Sequence, residues 1–403
     1  MVPFLVLSLV VADVPGDLSK AAGCSDDRPC TVTTETKAGT DGSGQPLRVY
    51  QLSRGPKESE SGAECEQEEY WLATGSKGRK LRQLFTLCND GYGSASAGED
   101  DVKVKPNRVF HEQFGGAEIR WVVTREVQLS PLTLVSTTVG RFSAVAGQFI
   151  DETKWNWDTF SGERTRAYSK CLEDAQPDLR EELKPKPVRS AAIPKIAVTK
   201  QWVEQGWKES SLGTCSARAI YLLQGSPSSV EGDTVLRVMA ISDTEFVFEI
   251  TDDTITKGDQ LALWLGEQNF TPWEGCLGKQ GPEAAQWIIS LPSGESRPGQ
   301  NARFGGAKAE VVQQGTTLHV KMKLPEGVWT AMTFTYADSD DGKTVKRIVS
   351  TSQLVAPQTA TLSALHAIER RTAICEVSDG VLTPRRPPLP AKGALLPGFT
   401  GGK

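Results

Sequence analysis

The sequence predicts an all-β fold of two β-sandwich-like domains. Three observations carry that expectation. Short runs rich in β-branched and aromatic residues alternate apolar with polar along most of the chain, 38 Gly and 23 Pro punctuate them, and helical periodicity of useful length is absent. At 403 residues the chain is long for one domain and sufficient for two, each able to bury its own core.

The chain opens with an unbroken apolar run from Val2 to Ala12, interrupted only by Ser8, and then turns polar. Eleven residues are too few for a helix of about 20 residues to cross a bilayer, and the small side chains at its end suit cleavage after Ala12. Residues 1–12 are therefore read as a signal peptide, although no Lys or Arg precedes the run. The expected location is secreted or periplasmic, with no transmembrane segment. Eight cysteines, at 24, 30, 65, 88, 171, 215, 276 and 375, fall into no C-x-x-C pair, and with three His in the whole chain the sequence offers no zinc-site pattern. In an exported chain the even count reads as four disulfides. Cys24 with Cys30 and Cys65 with Cys88 each close a short loop; the remaining connectivity is open.

The first domain is expected over 25–175. Arg48-Val49-Tyr50-Gln51-Leu52, Glu69-Tyr70-Trp71-Leu72-Ala73, 81–87, Arg108-Val109-Phe110, 119–127 and 132–142 have strand length and composition, with turns at Asn89-Asp90-Gly91 and Gly115-Gly116. Lys154-Trp155-Asn156-Trp157-Asp158 puts two indoles on one face of a strand, either as a stacking platform or, more simply, as a core pair. Residues 176–195, with Lys184-Pro185-Lys186-Pro187 and Pro194, read as a Pro- and charge-rich linker. The second domain is expected over 196–378. There 234–241 and 245–250 form a hairpin across Ser242-Asp243-Thr244, followed by strands at 260–265, 286–290, 317–323, 329–336 and 344–349. Residues 379–403 read as a disordered Pro/Gly tail.

Within the second domain, Phe246-Val247-Phe248-Glu249-Ile250 running into Thr251-Asp252-Asp253, then Gly258-Asp259 feeding 261–265, resembles the central part of family 9-like carbohydrate-binding modules. Val320-Lys321-Met322-Lys323-Leu324-Pro325 and Thr335-Tyr336-Ala337-Asp338-Ser339-Asp340-Asp341-Gly342 extend the likeness loosely over 230–351. The family's opening Asp-Gly and Trp motif has no counterpart. The resemblance implies a jelly-roll-like sandwich and, as partner, a polysaccharide or cell-surface glycan. Sugar binding needs aromatic faces on exposed loops beside polar groups, because the apolar face of a pyranose stacks on an indole. Loop position singles out Trp273 and Trp329 as ligand-binding candidates, while Trp264 reads as core. Asp338, Asp340 and Asp341 beside Gly342 are candidate ligands for a structural calcium, although the spacing is one residue short of a D-x-D-x-D-G loop and suits a plain hairpin turn. Asp252-Asp253 reads as a solvated strand end or as a contact to calcium or a sugar hydroxyl.

The formal charge of −5, from 45 basic and 50 acidic residues mixed along the chain, gives no footprint for nucleic acid. The sequence contains no H-E-x-x-H, no G-x-S-x-G, no P-loop and no dinucleotide glycine fingerprint. His111, His319 and His366 stand isolated. The expectation is a non-catalytic, exported glycan-binding protein. An exported structural protein without a sugar site is the alternative, and then a glycoside hydrolase, which needs only two suitably spaced carboxylates.

Overall fold

The computed structural model describes residues 14–58, 64–76, 79–89, 99–116, 119–143, 148–168, 186–225, 234–266, 285–300, 302, 306–325, 331–352, 375–378 and 381–386. The chain is nearly all β, as expected, and divides into two compact units, 1–137 with 388–403, and 138–387.

The first unit opens with α1 (Gly16–Ala22), whose C-terminus is capped by Gly23 at φ 67°, a left-handed conformation that glycine adopts without a Cβ penalty. Leu18 is fully buried on Val32, Tyr50, Leu52, Trp71 and Ala73. These come from an antiparallel meander of β1 (Cys30–Thr40), β2 (Pro46–Glu58), β3 (Glu64–Thr74) and β4 (Lys80–Asn89), in which sequence neighbours pair. The expected Cys24–Cys30 disulfide is present. Beneath the helix, the buried Arg54 guanidinium pairs with Glu69 at 2.9 Å and donates to the Ala22 carbonyl, so one cation caps the helix and neutralises a buried carboxylate. Glu69 also accepts from the Trp71 indole at 2.9 Å. A carboxylate so buried is stable only with partners of this kind.

In the first unit β5 (Glu99–Lys105), β6 (Arg108–Gly115) and β7 (Ile119–Leu129) pair antiparallel in sequence order, and in the second β9 (Gln148–Asn156), β10 (Ser161–Tyr168) and β11 (Lys186–Ala191) do the same; the division into units falls within β8 (Leu132–Ser143). Burial follows the period of two: Val109, His111, Gln113 and Gly115 of β6 are buried while the residues between them are half-exposed. Asn107, at φ 55° in the two-residue turn between β5 and β6, holds that turn by accepting from the Ser130 amide at 2.9 Å.

The linker expectation is corrected in part. Residues 186–191 form β11, paired with β10 from Glu163↔Ala191 to Tyr168↔Lys186, and Ile193 and Ile196 are buried. Pro187 is tolerated there because β11 is an edge strand, where a missing N–H removes no necessary ladder bond. The compact division at 137/138 also lies upstream of the expected domain boundary. At the other end, β23 (Cys375–Ser378) pairs with β24 (Val381–Pro384), so residues 381–384 of the expected tail are strand.

The sandwich of the second unit follows. β12 (Ala217–Arg218), β14 (Thr234–Ala240), β15 (Glu245–Asp252), β20 (Thr317–Lys323) and β19 (Lys308–Gln314) form one sheet. β13 (Tyr221–Gln224), β22 (Arg347–Ser350), β21 (Ala331–Asp338), β16 (Gln260–Gly266), β17 (Ala285–Ser290) and β18 (Ser296–Pro298) form the other. The pairings β15–β20, β16–β21 and β13–β22 join strands distant in sequence, giving the crossed connectivity of a jelly-roll-like sandwich. The β14–β15 hairpin has the expected register, Ala240↔Phe246 to Thr234↔Asp252. Alternate residues point between the sheets. Leu236, Val238, Phe246, Phe248, Ile250, Leu318 and Val320 meet Leu261, Leu263, Trp287, Ile289, Phe334 and Tyr336. Phe334 lies with ring centroids 5.1 Å from Phe246 and 5.0 Å from Phe248.

Candidate functional site

The β16–β21 register defines two ends of the six-stranded sheet. At one end Gly266 lies opposite Ala331 and Leu265 opposite Ala285; at the other Gln260 lies opposite Ala337. The first end is where the chain leaves β16 into 267–284 and re-enters β21 from 326–330. Trp273 and Trp329 belong to these two segments and lie outside the described residues. Their anchors do not: paired strands set Gly266 and Ala331 about 5 Å apart. Trp329 is two residues from its anchor and Trp273 seven, a reach of at most about 25 Å. The described strand ends that flank these two segments, Gly266 and Ala331, therefore share one rim of the sandwich.

The remaining described tryptophans of the second unit are buried. Trp264, as expected, is core-like at 7% exposure, and Trp202, Trp207 and Trp287 are at 2% or less. Trp155 and Trp157 share a face and stack at 5.9 Å with 16° between planes, but both are buried at 2%. The pair is therefore core, not a platform.

The opposite end of the sandwich gathers carboxylates. Asp338, which ends β21, is 2% exposed; it accepts from Thr234 Oγ1 at 3.2 Å and lies 3.7 Å from the Arg347 guanidinium, while its Oδ1 has no hydrogen-bond partner. Burial, then the Asp252 and Asp340 charges, push its carboxyl up to about 6. Asp340 is exposed and pairs with Lys346 at 2.5 Å. Asp341 accepts from the Lys343 and Thr344 amides at 2.8 and 2.7 Å and from Ser339 Oγ, which fixes the turn and holds its carboxyl below the usual range. The three candidate calcium ligands thus serve three different partners, and among the described residues no group of three Asp, Glu, His or Cys side chains is arranged to hold a metal ion.

Asp252 is buried and accepts the Tyr336 hydroxyl at 2.7 Å, whereas Asp253 is exposed. Tyr336 and Thr234 each bond across the sandwich, so this end is clasped by two polar links between the sheets. Asp259, fully buried, was not singled out by sequence. It accepts from the Thr256 and Ser339 amides at 2.7 and 2.8 Å, joining the turn before β16 to the turn after β21, and burial holds its carboxyl above the usual range. The Gly258-Asp259 pair was its only signal: a Cβ on Gly258 would meet the Gly342 backbone at 2.7 Å.

At this end Asp252, Asp259, Asp340 and Asp341 are engaged by local donors, while one oxygen of Asp338 has no hydrogen-bond partner. The other rim supplies anchors for two indoles. No helix among the described residues is long and apolar enough to cross a membrane. No protein-family model and no curated protein matches the chain.

Proposed function

We propose that this protein is exported and binds glycan without catalysis, through the rim of the second-unit sandwich that carries Trp273 and Trp329. The register that brings Gly266 beside Ala331 supports the reading, because the segments that contain the two tryptophans are flanked by strand ends on a single rim. In this reading the two indoles supply the stacking faces a pyranose needs. Two disulfides, Cys24–Cys30 and Cys215–Cys375, support an oxidising location.

Binding in this reading is independent of metal, because Asp338, Asp340 and Asp341 are engaged by Thr234, Lys346 and backbone amides. The test is affinity electrophoresis of the full chain against insoluble and soluble polysaccharides, with Trp273→Ala and Trp329→Ala. Retardation by at least one polysaccharide, lost in each variant and unchanged by EDTA, is the expected result; no retardation by any polysaccharide overturns it. Burial of the described sandwich tryptophans favours a second reading, an exported structural protein with no sugar site.

A further inference from the structure

The outer face of the five-stranded sheet is polar and yet covered. Arg237, Glu249 and His319 form a cross-strand row on β14, β15 and β20, pointing away from the core, with Lys321 two residues beyond His319 on the same face. The segment 199–216 lies against them. It comprises α2 (Lys200–Glu204), N-capped by Thr199, and 3₁₀ turns at Gly206–Lys208 and Gly213–Cys215. Its apolar anchors Trp202, Trp207, Leu212 and Cys215 are buried at 1% or less.

The polar residues of the face hold this strap by its backbone. Glu249 accepts from the Leu212 amide at 2.7 Å, Arg237 donates to the Gly213 carbonyl at 2.8 Å, Lys321 donates to the Val203 carbonyl at 3.3 Å, and Gln314 donates to the Lys208 carbonyl at 3.1 Å. Two polar atoms in this layer have no hydrogen-bond partner: Nδ1 of His319, a residue 4% exposed, and the indole N–H of fully buried Trp207. The Lys321 ammonium sits 5.3 Å from the Trp207 ring centroid.

We propose that residues 199–216 form an acid-released strap, with His319 as its sensor. The imidazole is accommodated only when neutral. Its cross-strand neighbour is Glu249 of β15, itself paired with Arg237 of β14; Lys321, two residues along its own strand, pairs with Glu310 of β19 at 3.1 Å, and Lys321 and the strap's Lys208 both lie at the Trp207 ring. Glu249 is thus already shared by Arg237 and the Leu212 amide, and Glu310 is taken by Lys321, so an imidazolium would be desolvated beside carboxylates already committed to other donors.

Burial accordingly holds the imidazole below its ordinary value of 6.5, with the Glu249 charge opposing. A group that binds its proton more weakly in the closed form favours the open form as pH falls, by up to tenfold per pH unit below 6.5. Release uncovers the Trp202 and Trp207 indoles while the Cys215–Cys375 disulfide keeps the strap's end attached.

The test is hydrogen exchange of the full-length protein at pH 7, 6 and 5, a window above the ordinary carboxylate range, corrected for intrinsic rates. Peptides from 199–216 are expected to open more by up to about thirtyfold between pH 7 and 5, while those from β15 and β20 stay protected. His319→Gln and His319→Leu, two neutral replacements of different polarity, are expected to flatten that response even where one of them folds poorly. A strap whose protection is unchanged by acid in the wild type, or an equal acid response in the folded variants, overturns the proposal.

Discussion

Replacing Cys215 and Cys375 together by alanine removes a link between residues 160 apart in sequence, whose Cα atoms lie 5.8 Å apart. Both are buried, and alanine avoids introducing hydroxyls there. In the loop-closure account a cross-link stabilises by restricting the unfolded chain. A loop of this length is worth about 5 kcal/mol, against about 2 kcal/mol for the six-residue separation of Cys24–Cys30. The comparison is internal: one chain carries a long and a short closure, in different units. Urea denaturation followed by tryptophan fluorescence reads the second unit through Trp202, Trp207 and Trp287, all buried. The 215/375 double variant is expected to shift that transition down by several kcal/mol, and the 24/30 double variant to leave it in place while lowering the stability of the first unit. A loss below about 1 kcal/mol for the long closure, or one smaller than that for the short closure, would refute the reasoning.

Three further outcomes are expected. Because Asp338 titrates at about 6 in the folded chain against an ordinary 3.8, the folded state binds the extra proton more tightly. The contribution of this group is fully present below pH 3.8 and is lost as pH rises through 6, so acidifying from 7 to 4 gains about 2 kcal/mol from it, and Asp338→Asn removes the gain in denaturation curves at the two pH values. Gly258→Ala drives a Cβ to 2.7 Å from the Gly342 backbone and 2.8 Å from Ser339 Oγ, parting the two turns that Asp259 joins; a loss of about 1–3 kcal/mol is expected by thermal melting. Phe334→Ala empties the contact with Phe246 and Phe248 and is expected to cost about 3–5 kcal/mol by denaturant titration.

The hairpin of β14 and β15, the shared face of Trp155 and Trp157 and the Cys24–Cys30 link were legible because each depends on residues close in sequence: a period of two, a tight turn, a short loop. The β11 strand was hidden by Pro187 and the prolines flanking it in sequence, which composition reads as linker; an edge position tolerates Pro187. The carboxylate end was half visible. Asp338 and Asp252 stood out as Asp-rich strand ends, but Asp259 matters through Ser339, 80 residues away, and no local pattern reports that distance.

The same division holds for the whole chain. Alternation, turn residues and the absence of helical period determined an all-β protein, because side-chain direction in a strand is a property of the strand alone. Which strands pair across a sandwich, which loops share a rim and which ionisable groups are buried were decided only by tertiary structure. These depend on the partner that the opposite sheet, or the strap over it, brings from far along the chain. Glu249 and His319 read as ordinary strand positions in the sequence, and only the strap carrying Trp207 makes their charge states consequential.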